Sequence, residues 1–419
     1  MSNDDQGKHG IVAEDALEQF CARIFGDALV LRSPKLIEKK GEIELADIIV
    51  LIDDTLIIIQ SKSLEISLEE FDRVKFERIK KRHTKARDQL NRTLNAQTQN
   101  AVVRGKTAKG VAVEIDWSAI SKRIGIVTLN LSDEKYSDPE FRFQYPQFTL
   151  EHRSIEVHSL VLRDIDALAS EFDTAGDFLA YLNTRFKAIH SESVLMGNEL
   201  DFLAFYKTMH DELLAALSEE RRMAFVAPGM WEGYLEANCE ERSKRQESFE
   251  KGAVIDEIID RMIGSIQGSV KEHGQTVQES TTNYLRTIGI LSKLTRIERA
   301  IAGSKILDKF EKVGTDPMGY GYFAHYSELS QILYVFVVTN HSDPKDRRTF
   351  LENVGSAAAL KVPNGKNVLC LGFEGLAGKG AIETILLDGD TIRENPSLYE
   401  GSNLFREIES KSHDEWDLP

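Results

Sequence analysis

Two runs of apolar, largely β-branched residues, 43–52 (IELADIIVLI) and 55–62 (TLIIIQSK), meet at Asp53-Asp54 and constrain this chain more than any other feature. β-Branched side chains are stiff at χ1 and suit a pleated, buried surface. Two such runs joined by two turn-forming residues predict a β-hairpin. A two-residue loop fixes the register: paired residue numbers sum to 107, which sets Asp47 opposite Gln60. Directly opposed residues share a face, with Cβ atoms about 5 Å apart. Lys62 lies two residues beyond Gln60 and shares that face as well. Ile49, Leu51, Leu56 and Ile58 line the rest of it; Ile48, Val50, Ile52, Ile57 and Ile59 line the other. Strands apolar on both faces are covered on both faces.

A carboxylate, an amide and an ammonium at the open end of so apolar a hairpin need an explanation, because burying them unpaired is costly. One answer is structural: an Asp47–Lys62 salt bridge with Gln60 as hydrogen-bond partner. The other is chemical. Hard divalent cations such as Mg²⁺ or Mn²⁺ take oxygen ligands, often one or two carboxylates completed by water and phosphate. Asp47 supplies a carboxylate, and Gln60 and the Ser61 carbonyl supply neutral oxygens. Lys62 would hold or activate an attacking water and offset charge on phosphoryl oxygens.

Asp47, twelve further residues, then Gln60-Ser61-Lys62 on a hairpin resembles the PD-(D/E)XK nuclease superfamily, the restriction-endonuclease-like fold. The glutamine is similar to that of the Mrr-type restriction endonucleases, where it stands in place of Asp or Glu. Two flanking stretches add to the likeness. AEDALEQFCARIFG (13–26) resembles the family's first helix, whose acidic residue precedes a glycine by about a dozen positions, a place that Glu14 takes before Gly26. KARDQLNRTL (85–94) resembles the helix after the lysine strand, which commonly reads K-A-x-x-Q-L. Leu45-Ala46 departs from the Pro often found before the aspartate, and Lys40-Gly41-Glu42 is a reduced form of the Gly-rich approach.

The resemblance covers residues 11–190. It implies a mixed α/β nuclease domain with Asp47, Gln60, Lys62 and Glu14 catalytic, and a Mg²⁺ or Mn²⁺ ion on Asp47, Gln60, Ser61 and Glu14. It also implies DNA cleavage in bacterial restriction or antiviral defence. Because Gln60 lacks the charge of a glutamate, a second carboxylate must come from elsewhere: Glu14 first, Glu18 one turn along second. Glu42 and Glu44 have the opposite parity to Asp47, so a regular strand points them away, and Asp53 and Asp54 read as turn formers.

The chain is acidic, with 68 Asp+Glu against 52 Lys+Arg and a net charge of −16. Residues 73–92 nevertheless hold nine Lys or Arg against two acidic residues, a local +7 that leaves −23 for the remainder. Such asymmetry marks a local site for an anionic partner. A basic helix over 68–98 offers Arg78, Lys81, Arg82, Lys85 and Arg92 to nucleic-acid phosphates, with His83 as a further surface contact. Its charge does not separate DNA from RNA.

A length of 419 residues suggests two or three domains, and 42% hydrophobic content excludes wholesale disorder. The pattern divides the chain into an α/β domain (1–190), a helical region (191–312) and a small C-terminal α/β domain (313–419). In the first, a helix over 11–26, strands over 122–131 and 154–162, and helices near 164–172 and 175–186 surround the hairpin. In the last, strands at 331–339, 367–373 and 382–388 flank a helix at 345–360. Between them Val254, Ile255, Ile258, Ile259, Met262, Ile263 and Ile266 form a helical stripe that needs a partner surface, either core or another subunit. The middle and C-terminal parts would then sense, regulate or oligomerise, with a second copy or a defence partner protein. No apolar run approaches the ~20 residues of a membrane span, and the polar N-terminus lacks a signal-peptide core, so a cytoplasmic protein with no membrane partner is expected. Cys21, Cys239 and Cys370 are too far apart in sequence for a zinc motif and read as buried thiols.

Two other stretches fall short. GFEGLAGKGAI misses the phosphate-loop spacing, because Phe373 and Gly380 stand where Gly and Ser or Thr are required around Lys379. Thr339–Asp343, after an apolar strand, reads as a plain loop. The rival to a nuclease is a non-catalytic nuclease-fold protein that binds nucleic acid or a partner, with Asp47 and Lys62 paired internally.

Overall fold

The computed structural model describes residues 3–38, 41–64, 73–96, 102–107, 112–115, 120–131, 156–218, 223–237, 250–273, 278–362, 364–376 and 381–396. The chain divides into two compact units, Met1–Arg242 with Ile263–Ser292, and Ser243–Met262 with Lys293–Pro419.

The first unit is mixed α/β. Helix α1 (Asn3–Phe25) leads into β1 (Val30–Glu38), β2 (Gly41–Glu44), β3 (Ile48–Ile52), β4 (Thr55–Leu64) and helix α2 (Arg73–Ala96). Strands β5 (Val102–Thr107), β6 (Ala112–Ile115), β7 (Lys122–Leu131) and β8 (Glu156–Val161) follow. They form one sheet in the order β6-β5-β1-β3-β4-β7-β8, with β2 paired to β1. β4–β7 and β7–β8 are parallel and the other pairs antiparallel. Helices α3 (Leu162–Glu171), α4 (Ala175–His190), α5 (Glu199–Thr208), α6 (His210–Ser218) and α7 (Met230–Ala237) complete the run to residue 242, with the short parallel pair β9 (Val194–Leu195) and β10 (Ala224–Phe225).

The hairpin β3–β4 has the register that a two-residue loop demands: Ile48 pairs with Ile59, Val50 with Ile57 and Ile52 with Thr55. Both its faces are covered. Ile49, Leu56 and Ile58 pack with Ala86 and Leu90 of α2 on one side. Ile48, Val50, Ile57 and Ile59 are also buried, and α1 packs against β1, β3 and β4. Helix α1 ends at Gly26, whose φ of +82° is the left-handed cap that its position predicts. Behind β8, the fully buried Arg185 bonds Glu199 at 2.7 Å and Ser159 O at 3.0 Å, tying α4 and α5 to the sheet.

The run 43–52 is not one strand. Glu44 closes β2, residues 45–47 bend, and β3 begins at Ile48. The bend is held by Leu45 N to Pro34 O and by Ser33 N to Asp47 O, both at 2.9 Å. β1, β5 and β6 escape a periodicity reading because they lack clean alternation. β1 carries Pro34, Ser33 at φ +42° and a register shift between Arg32 and Lys35.

Helices α8 (Ala253–His273) and α9 (Gln278–Ser292) continue the chain. Ile255, Ile258, Ile259 and Met262 of the helical stripe are buried, so it serves as core. The second unit contains α10 (Arg296–Val313) and a four-stranded sheet of β11 (Tyr320–Ser327), β12 (Ile332–Thr339), β13 (Asn367–Glu374) and β14 (Ile382–Asp388), in that order. Only β12–β13 is parallel, and helix α11 (Pro344–Lys361) makes that crossover. Leu351, Val354 and Ala358 of α11 pack on Leu333, Val335, Val368 and Cys370. The short helix α12 (Gly389–Glu394) follows β14. A capping box of Thr295 and Glu298 starts α10, and Asp343 with Pro344 starts α11. Cys21 and Cys370 are free and buried; Cys239 and Lys379 lie outside the described residues. Among the described residues, no helix is long and apolar enough to cross a membrane.

Candidate functional site

The bend at 45–47 delivers Asp47 to the open end of the hairpin. There Asp47 Oδ2 accepts hydrogen bonds from Ser61 N at 2.6 Å and Gln60 Nε2 at 2.7 Å. Lys62 Nζ donates to Ser61 O at 2.8 Å. Gln60 and Ser61 are buried, and Asp47 and Lys62 are half-buried. Among the described residues Lys62 forms no ion pair with Asp47. The backbone of Ser61 lies between them, its N–H on the carboxylate and its carbonyl on the ammonium. Thr93 Oγ1 of α2 donates to Leu45 O, fastening the bend to the helix that packs over the same face.

The charges of this end act on one another. Burial raises the Asp47 pKa above the ordinary carboxylate value, opposed by Lys62 and by the Ser61 and Gln60 hydrogen bonds, and Glu44 pushes it further up. Burial also raises Glu14, with Asp47 and Glu44 adding to it and Arg32 and Lys62 opposing. Burial lowers Lys62, and Lys85 of α2 lowers it further, against the pull of Asp47, Glu14 and Glu44. Each of the three groups is thus displaced toward its neutral form. Carboxylate, amide and carbonyl oxygens are the donor types that a hard cation takes, and Asp47, Gln60 and Ser61 carry them here. Among the described residues no three His, Cys, Asp or Glu side chains gather as a metal cage.

Comparison with known proteins finds no matching family model, no matching curated protein and no matching solved structure.

The remaining sequence candidates separate. Glu14 lies within electrostatic range of Asp47 and Lys62, with no hydrogen bond to either among the described residues. Glu18 does not supply a free carboxylate, because its Oε2 accepts from Arg32 Nη1 at 2.8 Å, with Asp15 on the same guanidinium. Asp53, at φ +52°, and Asp54 form the turn. Arg78, Lys81, Arg82 and Lys85 are exposed along α2, while the side chains of Arg92 and Glu42 lie outside the described residues. His83 is not a surface contact. It is 2% exposed, and its Nε2 lies 2.7 Å from Ser159 Oγ of β8. Helical spacing explains this: Ile79, His83, Ala86 and Leu90 make one stripe, and all four are buried.

Glu44 is the residue that parity reasoning discards. It is exposed, and its charge adds to the upward pressure on the Asp47 and Glu14 carboxylates across the bend that separates β2 from β3. The signal available in sequence was the Leu45-Ala46 interruption of an otherwise β-branched run.

Proposed function

We propose that the first unit is a divalent-cation-dependent phosphodiester hydrolase acting on DNA, a nuclease of the PD-(D/E)XK, restriction-endonuclease-like type with the Mrr-type glutamine. Its service would be restriction or antiphage defence, with a bacterial cytoplasm as its setting. The observation that carries this reading is the meeting of Asp47, Gln60 and Lys62 at one end of a buried hairpin, under a helix with exposed Arg78, Lys81, Arg82 and Lys85.

Asp47 and Glu14, with Gln60 Oε1 and Ser61 O, would hold Mg²⁺ or Mn²⁺, which when bound supplies Lewis-acid stabilisation of phosphoryl charge. Using the Ser61 carbonyl requires Lys62 to leave it and turn toward substrate. Lys62, whose partial burial favours the neutral amine, would in that form take a proton from the attacking water. The water oxygen bonds to phosphorus as one phosphoester P–O bond breaks, and the departing oxygen takes a proton from solvent. Gln60 Nε2 keeps Asp47 aligned through the 2.7 Å bond to Oδ2. The exposed cations of α2 neutralise flanking phosphates without reading bases.

Purified full-length protein incubated with plasmid DNA and structured RNA, with Mg²⁺, Mn²⁺ or EDTA, tests the proposal. Cleavage of DNA that needs the cation and disappears in Asp47→Ala is the expected result. Absence of cleavage with either cation, together with absence of cation binding, overturns it. The second reading, a nuclease-fold protein that binds without cutting, draws on the internal contacts that Gln60 and Lys62 already make. It predicts nucleic-acid or partner binding, no cation binding and no change on Asp47→Asn.

A further inference from the structure

The hairpin that carries the site has a turn poorly suited to the task. Asp53 sits at φ +52°, a left-handed conformation that disfavours a side-chain-bearing residue, and Asp-Asp is a weak choice for a two-residue loop. The two-residue loop sets the register, and whatever holds the turn guards it, because a slip of one residue moves every side chain of a strand to the opposite face. Here that slip would take Gln60 and Lys62 away from Asp47.

What holds the turn comes from far along the chain. Arg286 Nε of α9 donates to Asp53 Oδ1 at 3.1 Å, across 233 residues, and the Asp53 side chain is only 5% exposed. Three residues further along α9, Gly289 lies against the backbone of the turn. A Cβ there would stand 2.4 Å from Asp53 N and 3.2 Å from Ile52 C. Gly in a helix interior weakens the helix, so its presence at this contact reflects a close approach of backbone to backbone. On the other strand of the turn, Ser121 N and Lys122 N donate to Asp54 O at 2.9 and 3.2 Å.

We propose that α9 is a brace on the catalytic hairpin, with Arg286 and Gly289 as positioning residues. By seating on the Asp53-Asp54 turn they fix the register that sets Asp47 against Gln60. The activity attributed to the first 190 residues then depends on a helix about a hundred residues downstream of them. The inference rests on the hydrolase reading for its functional consequence, but not for its structural one.

The test is a cycle in the full-length chain. Gly289→Val should lift α9 from the turn, raise amide exchange across residues 48–59, and lower cation-dependent cleavage by about tenfold or more through lost alignment. Asp53→Gly relieves the left-handed strain at its source but also removes the Arg286 contact, so alone it should shift exchange and cleavage no further than Arg286→Ala does. Combined with Gly289→Val it should restore exchange protection of 48–59 and bring cleavage back to within about threefold of wild type. Arg286→Ala should act in the same direction as Gly289→Val but more weakly, with Arg286→Lys recovering part of it.

A folded Gly289→Val protein with wild-type exchange across 48–59 overturns the brace. So does a double variant in which Asp53→Gly restores nothing, since a helix that merely adds stability would not be replaced by a better turn. If wild-type protein binds no cation and cleaves nothing, the hydrolase reading fails, and the exchange measurements still decide the brace.

Discussion

Asp47 Oδ2 lies 2.7 Å from Gln60 Nε2, and the same oxygen accepts the Ser61 amide at 2.6 Å. A carboxylate oxygen that holds two donors is fixed in direction. The second oxygen of Asp47 and the carbonyl oxygen of the Gln60 amide are the atoms left to meet a cation or substrate. The arrangement is costly without one, because burial and Glu44 both oppose the charge on Asp47.

Asp47→Asn should therefore raise stability while removing cleavage. Asn keeps an acceptor for Ser61 N and Gln60 Nε2 but carries no charge into the half-buried site. The sign follows from proton binding. A carboxylate with a raised folded pKa binds more protons in the folded state, so it weakens the fold as pH climbs from the unfolded value to the folded one. The variant's advantage should be absent at pH 3 and complete at pH 8, on the order of 0.5–2 kcal/mol, the usual range for substitutions that relieve a functional site. Urea melts at the two pH values measure it. An equal loss of stability at both would show that Asp47 is a structural carboxylate.

Lys62→Met separates catalysis from internal pairing. Were Lys62 one half of a buried ion pair, removing it would cost about 3–5 kcal/mol. Its ammonium instead sits on the Ser61 carbonyl, and burial works against its charge. Its folded pKa is lowered, so its penalty is present at neutral pH and fades as pH rises toward the unfolded value of 10.5. Lys62→Met should keep or slightly raise stability at pH 7 and reduce cleavage by about 10²–10³, the effect of losing a preorganised charge-stabilising group. Denaturant melts with single-turnover cleavage give both quantities.

Gln60→Glu places a second carboxylate where a donor now meets Asp47 at 2.7 Å. Two carboxylates this close share a proton, so without cation the variant should lose on the order of 1–3 kcal/mol above neutral pH and recover it on acidification. Millimolar Mg²⁺ or Mn²⁺ should restore the stability and leave partial activity, because a cation takes up the repulsion. Thermal melts at pH 5 and 8, with and without cation, read the coupling. No response to cation would remove Gln60 from the cation's surroundings.

The hairpin and its register were legible because β-branched runs and a two-residue gap leave a single pairing. The loss came where local rules stop. Parity reasoning treats 43–52 as one unbroken strand, while the bend at 45–47, held by Pro34 and Ser33 of β1, interrupts it, and β1 shows no alternation of its own. His83 was misplaced because composition marks 73–92 as a cationic surface, whereas helical spacing sets it in the buried stripe of Ile79, Ala86 and Leu90. The contact between Asp53 and Arg286, 233 residues apart, leaves no trace in either local pattern.

The exposed face of α2 makes a claim that salt can weigh. Arg78, Lys81, Arg82 and Lys85 are exposed, and the charge of Lys85 helps to lower the Lys62 pKa. If these side chains neutralise phosphates, duplex affinity should fall with salt along a slope that flattens by about 0.9 for each contact removed. Arg78→Gln and Arg82→Gln together should reduce the slope by about 1.8, weaken binding to unrelated sequences equally, and leave the fold unchanged. Lys85→Gln should do the same and, by removing a neighbouring cation, also move the alkaline dependence of cleavage toward higher pH, since Lys62 then holds its proton more firmly. Fluorescence anisotropy from 50 to 300 mM salt, with a pH–rate profile for Lys85→Gln, separates the two effects. An unchanged salt slope in the double variant would move the polyanion to another face of the molecule.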